Sequence, residues 1–295
     1  MTGTSPTPAR TPPRILAIAG SDSSGGAGIQ ADIKTITMLS GYAMTAITAV
    51  TAQNTIGVQG ITPIDGGFVF EQIASCIEDI GADAIKIGML ANEDIVRNVA
   101  AALVAAPEIN ARSAAGHAAK NAPPETGRFP IVLDPVMIAT SGDTLVDQAS
   151  ILAMRSRLFP LATLLTPNLP ELELLAGRQL RTLELMQDAA GELAREIGCH
   201  VLAKGGHTGD ERVIDVLVDP EGVPTIFEHP RLDTPHTHGS GCTLSSAIAT
   251  LLGYDLPLED AVRIARKFVF SAMENAPGFG IGNGPMGHQA VRNTR

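Results

Sequence analysis

The chain has no tryptophan, and aromatic residues make up only 3% of its 295 positions. A core must therefore be packed from Ala, Val, Leu, Ile and Met, and the 44% hydrophobic content is ample for one. Cysteine is also scarce. Cys76, Cys199 and Cys242 are odd in number, widely spaced and form no Cys-x-x-Cys pair, which argues against a disulfide framework and a zinc site and suits a reducing cytosol. No basic run and no basic-aromatic interleaving occurs in a chain of net charge -10, so nucleic acid is not an expected partner. An acidic protein of this kind binds a polyanion such as ATP only with local cations and a divalent metal.

Other absences are local. Residues 1–14 are rich in Pro and Thr without an apolar stretch, so they read as neither signal peptide nor membrane span but as a disordered tail. A cytoplasmic location is the matching expectation. Residues 35–64 carry no charge, yet hold too much Thr, Gly, Asn and Gln for a membrane helix. They read as interior, with polar side chains facing a small-molecule pocket. Gly26-Ala27-Gly28-Ile29-Gln30-Ala31 fits a loose dinucleotide pattern, but no Asp or Glu occurs between Lys34 and Ile64, where one about 20 positions on would hold a ribose. There is no Gly-Lys pair for a Walker A loop and no G-x-S-x-G elbow.

What is present alternates. Apolar runs at 15–19, 46–52, 84–87, 131–133, 163–165 and 200–203 read as strands, and 213–218 with 225–229 as a β-hairpin. Helical spacing is expected over 29–39, 68–80, 93–105, 151–159, 169–176, 186–197, 242–252 and 258–273. Such alternation implies an α/β fold with a mostly parallel sheet covered on both faces. Domain limits follow: a tail over 1–14, one domain over 15–290 with a surface insertion at 107–128, and a tail over 291–295. In folds of this class ligands sit beyond the carboxyl ends of strands. Asp22, Gln53, Asn54, Lys86, Asp134, Asn168 and Lys204 are all expected near strand ends.

The stretch THGSGCTLSSAIAT at 237–250 is the strongest local signal. Gly239, Ser240 and Gly241 form a small-residue turn into a helix, whose first amides lack intrahelical partners and carry partial positive charge. An anion can approach them closely because two of the three residues have no side chain. A plain helix-starting turn is the bland reading. The parts of a phosphoryl-transfer site are nonetheless all available. Lys204 offers fixed charge, Asp134, Asn168 and Glu171 could organise Mg²⁺ through water, and Cys242 stands at the rim of the cradle. Each has a structural alternative: Asp134-Pro135 as a turn, Asn168-Leu169-Pro170-Glu171 as a helix cap, Lys204 as a solvated loop residue, Met89 as core and Cys242 as a buried thiol. His117, His200, His229 and His288 show no metal spacing.

Taken together, AGSDSSGGAGIQADIKT at 19–35, TAQNT at 51–55, KIGML at 86–90, LDPVM at 133–137, SGD at 141–143, TPNLPE at 166–171, KGGH at 204–207 and THGSGCTLSSA at 237–247 resemble the hydroxymethylpyrimidine/phosphomethylpyrimidine kinases of thiamine biosynthesis, in the ribokinase superfamily. The resemblance implies a three-layer α/β/α domain and a homodimeric kinase dependent on ATP and Mg²⁺, acting on 4-amino-5-hydroxymethyl-2-methylpyrimidine and then on its monophosphate. Carried over by motif, Gln53 would hold the pyrimidine edge, and Asp32, Ala27, Thr51 and Met89 would line the substrate pocket. Lys204, Thr237, Asn168 and Gly241 would serve the nucleotide, and Asp134, Asn168 and Glu171 the metal side. Gly239, Ser240, Gly241, Cys242 and Lys204 would carry the transfer. Cys242 stands where sugar kinases of the superfamily have Asp, and it is expected to act as acceptor-side base or to position the hydroxymethyl oxygen, the helix N-terminus favouring its thiolate. His236 stands where the family usually has Asn, which leaves the adenine contacts open. Two other functions compete: a pyridoxal kinase of the same superfamily, and a non-catalytic binding protein, whose mark would be loss of Cys242, Lys204 or Asn168.

Overall fold

The computed structural model describes residues 11–114, 129–137, 146–206 and 211–291. The SGD segment, His117, His207 and most of the expected insertion lie outside them. Nine strands form a single sheet in the order β3-β2-β1-β4-β5-β6-β7-β8-β9. Six are parallel: β1 (Arg14–Asp22), β2 (Tyr42–Gln53), β4 (Ala84–Ile87), β5 (Ile131–Leu133), β6 (Leu164–Leu165) and β7 (His200–Ala203). Antiparallel strands close both sides, β3 (Val58–Pro63) at one and the hairpin of β8 (Arg212–Val218) and β9 (Pro224–Pro230) at the other.

The helices divide between the two faces. One face carries α2 (Gly66–Asp79), α3 (Glu93–Ala114), α4 (Gln148–Ala153, continued by a π turn to Leu158), α5 (Leu169–Ala176) and α6 (Leu183–Ile197), packed through Val69, Ile73, Val96, Val99, Met154, Leu172 and Met186. The other carries α1 (Gly28–Met38), α7 (Ser240–Leu252) and α8 (Leu258–Glu274), packed through Ile29, Ile36, Leu244, Ile248, Val262 and Phe268. Alternate residues of β1 feed the two cores, Leu16 and Ile18 into one and Ile15 and Ala17 into the other, all fully buried. That is the expected three-layer arrangement, and it explains why the parallel strands read as continuous apolar runs.

Three expectations need correction. Residues 58–63 were expected within a charge-free interior, but they form an edge strand with five exposed residues of six. The missing charge is a property of β2, whose alternate residues are buried, and not of its partner. The helix expected to stop at residue 105 runs on through Pro107 to Ala114, so the insertion begins later than the proline suggests. The expected tail ends earlier: Arg14 opens β1, where it pairs with Asp83 at 2.6 Å, and Pro13 accepts from the Tyr42 amide.

His288, for which the sequence offers no role, is 1% exposed and sits under α7, hydrogen-bonded through Nε2 to Thr243 Oγ1 at 2.8 Å. Burial, helped by the Lys34 charge, pushes its pKa down to about 4. An unfolded histidine protonates near 6.5. Between those values the unfolded chain binds more protons, so stability is full above about pH 6.5 and is lost as pH falls towards 4. His288→Gln should flatten that acid-side fall in melting temperature. An equally steep fall in the variant assigns the loss to other groups.

Candidate active site

Loops at the carboxyl ends of the parallel strands enclose a cavity of about 610 Å³ that reaches from Val58 and Ile61 of β3 to Val213 of β8. Gly239, Ser240, Gly241 and Cys242 bring the N-terminus of α7 into its lining. Gly239 caps this helix in the left-handed region, φ 81°. A Cβ there would lie 2.0 Å from the Gly26 carbonyl oxygen, so only glycine lets the α7 turn rest on the β1–α1 loop. Two residues on, a Cβ at Gly241 would lie 3.1 Å from Lys204 Nζ and 3.2 Å from Asp134 Oδ2. The helix start is thus pressed between the end of β1 and the charged pair after β5 and β7. The Ser240 amide bonds to Thr237 O and the Thr243 amide to Gly239 O. The amides of Gly241 and Cys242, which begin the helix between them, are the donors placed for an anion.

Beyond β5 and β7 Lys204 Nζ meets Asp134 Oδ1 at 2.7 Å, and Thr166 Oγ1 donates to the same oxygen at 3.1 Å. Burial opposes the lysine charge, but Asp134 and Glu171 raise its pKa, so it stays cationic. Asn168 and Glu171 form a reciprocal cap at the start of α5: the Glu171 amide donates to Asn168 Oδ1 at 2.9 Å and the Asn168 amide to Glu171 Oε2 at 2.8 Å. The capping alternative is therefore realised, while both side chains still line the cavity. Burial pushes Glu171 up to about 7 against the pull of Lys204. Among the described residues no three His, Cys, Asp or Glu side chains gather as a metal cage. The donor set of Asp134, the Asn168 amide and the Glu171 carboxyl fits Mg²⁺ held largely by phosphate and water. Further along, Val213, Val269, Phe270 and Met273 give the cavity an apolar end. His236 is not in the lining; it packs on Gly278 and Gly284.

Towards β2 and the β1–α1 loop, Ala27, Thr51, Gln53 and Met89 are in the cavity lining. Thr48 Oγ1 donates to the Met89 carbonyl at 2.7 Å, holding its loop against β2. The Gln53 side-chain amide lies between Thr51 Oγ1 at 3.3 Å and His238 Nε2 at 3.4 Å. Asp32 departs from the expectation. It is fully buried outside the lining, and both its oxygens are taken by Lys86 Nζ at 2.8 Å, with Ser246 Oγ donating to one at 2.6 Å. Burial pushes the Asp32 carboxyl up, while the Asp32 charge overrides burial and raises Lys86; the close contacts hold the two as an ion pair. Asp32 thus supports the floor of the site, and Lys86 lies within β4, not beyond it.

Two findings were not visible in sequence. Burial pushes the Cys242 thiol up to about 11, outweighing the favourable Lys86 charge and the Gly28 amide, with Asp32 and Asp134 opposing ionisation as well. The expected thiolate at the helix N-terminus is overturned by desolvation. Second, His238 Nε2 meets Asp22 Oδ2 at 2.9 Å beside Gln53. Asp22 also accepts from the amides of Ser24, Gly26 and Ala27. The glycine loop that imitates a dinucleotide fingerprint therefore wraps a carboxylate of its own chain. Asp22 ends β1 and His238 stands inside the 237–247 motif, but 216 residues separate them.

Comparison with known proteins agrees with this anatomy. A family profile described as phosphomethylpyrimidine kinase matches residues 22–113 and 109–287. The hydroxymethylpyrimidine/phosphomethylpyrimidine kinase of Bacillus subtilis is 39% identical over 95% of this chain and 96% of its own length. The thiamine biosynthesis bifunctional protein ThiED of Geobacter sulfurreducens is 40% identical over 93% of this chain, which spans about half of that protein, 52%. Among solved structures, an ADP complex of Bacillus subtilis pyridoxal kinase superposes with a TM-score of 0.81 at 34% identity, covering 95% of this chain and 98% of the other. With a polar wall, an apolar end, a cationic centre and a helix-capped anion cradle in one cavity, and with that profile spanning nearly all of the sequence, the chain belongs to the phosphomethylpyrimidine kinase family.

Proposed function

We propose that the chain transfers the γ-phosphoryl group of ATP to the hydroxymethyl oxygen of 4-amino-5-hydroxymethyl-2-methylpyrimidine, and then phosphorylates the monophosphate to the diphosphate used for thiamine diphosphate. The observation that carries the reading is that the α7 N-terminus shares one cavity with two differently lined groups of residues. The half lined by Gln53, Thr51, Met89 and Ala27 suits a small flat ring with polar edges. The half lined by Val213, Val269, Phe270 and Met273 suits a purine, as the ADP complex of the Bacillus subtilis pyridoxal kinase supports for the fold. The homodimer and the cytoplasmic location implied by the sequence belong to the same reading.

In this reading the amides of Gly241 and Cys242 receive the transferring phosphoryl oxygens, and Lys204 neutralises charge beside them. Mg²⁺, when bound with the nucleotide, would offset phosphate charge; Asp134, with Oδ2 facing the cradle, would hold it, assisted through water by Asn168 and Glu171. Phosphoryl transfer passes through a loose transition state, so positioning and electrostatics matter more than early proton removal. A neutral thiol at Cys242 suits that demand. It orients the acceptor hydroxyl by hydrogen bonding and is not a resident thiolate base.

ADP release with the free pyrimidine alcohol tests the activity, and parallel kinetics with pyridoxal tests the second reading, which the likeness to a pyridoxal kinase favours. Turnover of pyridoxal alone would overturn the pyrimidine assignment. Gln53→Ala should raise KM for the pyrimidine by roughly 5- to 150-fold, equivalent to about 1–3 kcal/mol for a desolvated hydrogen bond, and leave KM for ATP nearly unchanged. Unchanged pyrimidine kinetics would remove Gln53 from the acceptor wall.

The thiol makes a separate prediction. With a pKa of about 11, alkylation of Cys242, followed on its own peptide, should be slow at pH 7.5 and should keep rising up to pH 10. A plateau near neutrality would show a thiolate. Cys242→Ser should retain most of kcat, whereas Cys242→Ala should lose about 10²-fold, the low end of acid–base assistance. A serine variant as slow as the alanine variant would favour thiolate chemistry instead.

A further inference from the structure

The hydrogen-bond chain Asp22–His238–Gln53–Thr51–Ser21 allows only one set of proton positions. Asp22 is surrounded by donors: the Ser24 amide and hydroxyl at 2.9 and 2.8 Å, the Gly26 and Ala27 amides at 3.0 and 2.7 Å, and His238 Nε2 at 2.9 Å. Burial would raise its pKa, but the His238, Ser24 and Ala27 contacts bring it below the ordinary value, so Asp22 is a carboxylate with no proton to give. His238 Nε2 must therefore carry the hydrogen. The Gln53 amide atom 3.4 Å from that same nitrogen cannot be an NH₂ group, because two donors would face each other. It is the oxygen. The other end of the chain gives the same answer independently. Thr51 Oγ1 lies 2.8 Å from the Ser21 carbonyl oxygen, which only accepts, so the hydroxyl spends its one proton there. Its remaining lone pairs need a donor, and the Gln53 atom 3.3 Å away must be the nitrogen.

The ring of His238 has no freedom to relax this arrangement. It is 6% exposed, with the bare Cα of Gly26 against it: a Cβ on Gly26 would fall 2.4 Å from His238 Cδ2. Its backbone amide donates to the Gly284 carbonyl at 3.2 Å.

We propose that His238 is a positioning residue for acceptor specificity: by donating to Asp22 it turns the Gln53 amide oxygen to the His238 side and the NH₂ to the Thr51 side, and so fixes which way round the acceptor ring lies. The proposal rests on the pyrimidine reading above. In that ring a nitrogen acceptor, the 4-amino donor and the 5-hydroxymethyl group follow one another along one edge. The amide oxygen takes the amino group and the amide N–H takes the ring nitrogen. The hydroxymethyl group then falls on the His238 side, and from His238 the chain runs directly into Gly239, Gly241 and Cys242. The opposite amide orientation would pair with a ring turned over, its hydroxymethyl group directed away from the cradle. A 4-oxo counterpart presents a carbonyl acceptor beside a ring N–H donor, the reverse of what the fixed amide offers, and is refused.

The test has two arms. In wild-type protein labelled with ¹⁵N-glutamine, NOEs from the Gln53 side-chain NH₂ should reach the Thr51 methyl protons and not the His238 ring; NOEs to the ring would overturn the proposal without any variant. In the second arm kcat/KM is measured for the 4-amino alcohol and its 4-oxo counterpart. Wild type should prefer the amino compound by at least about 100-fold, since a site built to pair with polar groups rejects a mismatched one. In His238→Ala the amide is held only by its 3.3 Å contact with Thr51 and can turn, and that preference should drop at least about tenfold. A preference unchanged in the variant would overturn the proposal, whereas a general loss of stability would lower both rates and leave their ratio alone. If wild type turns over neither alcohol, the pyrimidine reading fails, and the NOEs still decide the amide orientation.

Discussion

The site stands on one wholly buried ion pair. Lys86 of β4 and Asp32 of α1 are both 0% exposed, and Ser246 of α7 closes the contact with its hydroxyl. Three elements from distant parts of the chain are tied at one carboxylate, one turn below the amides that form the anion cradle. Burying such a pair gives little net stability, but removing one partner leaves a stranded charge and costs about 3–5 kcal/mol. The knot therefore acts as a locator. It sets the depth of α7 relative to the sheet, and with it the height of Gly241 and Cys242 above Asp134 and Lys204.

A second pair does the same work at the other end of the cavity. Asp215 of β8 joins Arg266 of α8 at 2.7 Å and accepts the Gly205 amide at 2.9 Å, one residue after Lys204. The Lys204 end of the cavity is thus fastened to the hairpin edge, as the end beside Gln53 is fastened to α1. Between them the glycines of the α7 turn allow backbone to lie directly on backbone, so the cradle is shaped by main chain and the two flanking halves by side chains.

What the sequence made legible was local. Runs such as 84–87 and 200–203 give their strands to the residue, because parallel strands buried on both faces leave an unbroken apolar signature. Segments that carry their own chemistry, 166–171 and 237–247, placed Asn168, Glu171, Gly239 and Cys242 in the cavity lining. Three kinds of information were hidden. Edge exposure was one: Val58–Pro63 looks like its buried neighbour β2 because lack of charge does not report which strand lies outermost. Long-range pairing was another, since nothing near Asp32 or Asp22 in sequence announces Lys86 or His238. The third was the balance of large opposing terms at Cys242, where a helix terminus promises a thiolate and burial withholds it.

The contact between Gly239 and Gly26 has a mechanical meaning. With no Cβ on either residue, the two loops touch there through main-chain atoms, and the side chain beside that contact, His238, is tied to Asp22 at 2.9 Å, which leaves little to absorb a displacement. The β1–α1 loop and the α7 turn, the two parts to which the proposed function gives the ring and the phosphoryl group, are consequently geared together. A chain of this design can exchange one acceptor ring for another by changing the far wall, at Met89 or β3, but any change that shifts the β1–α1 loop shifts the transfer geometry by the same amount.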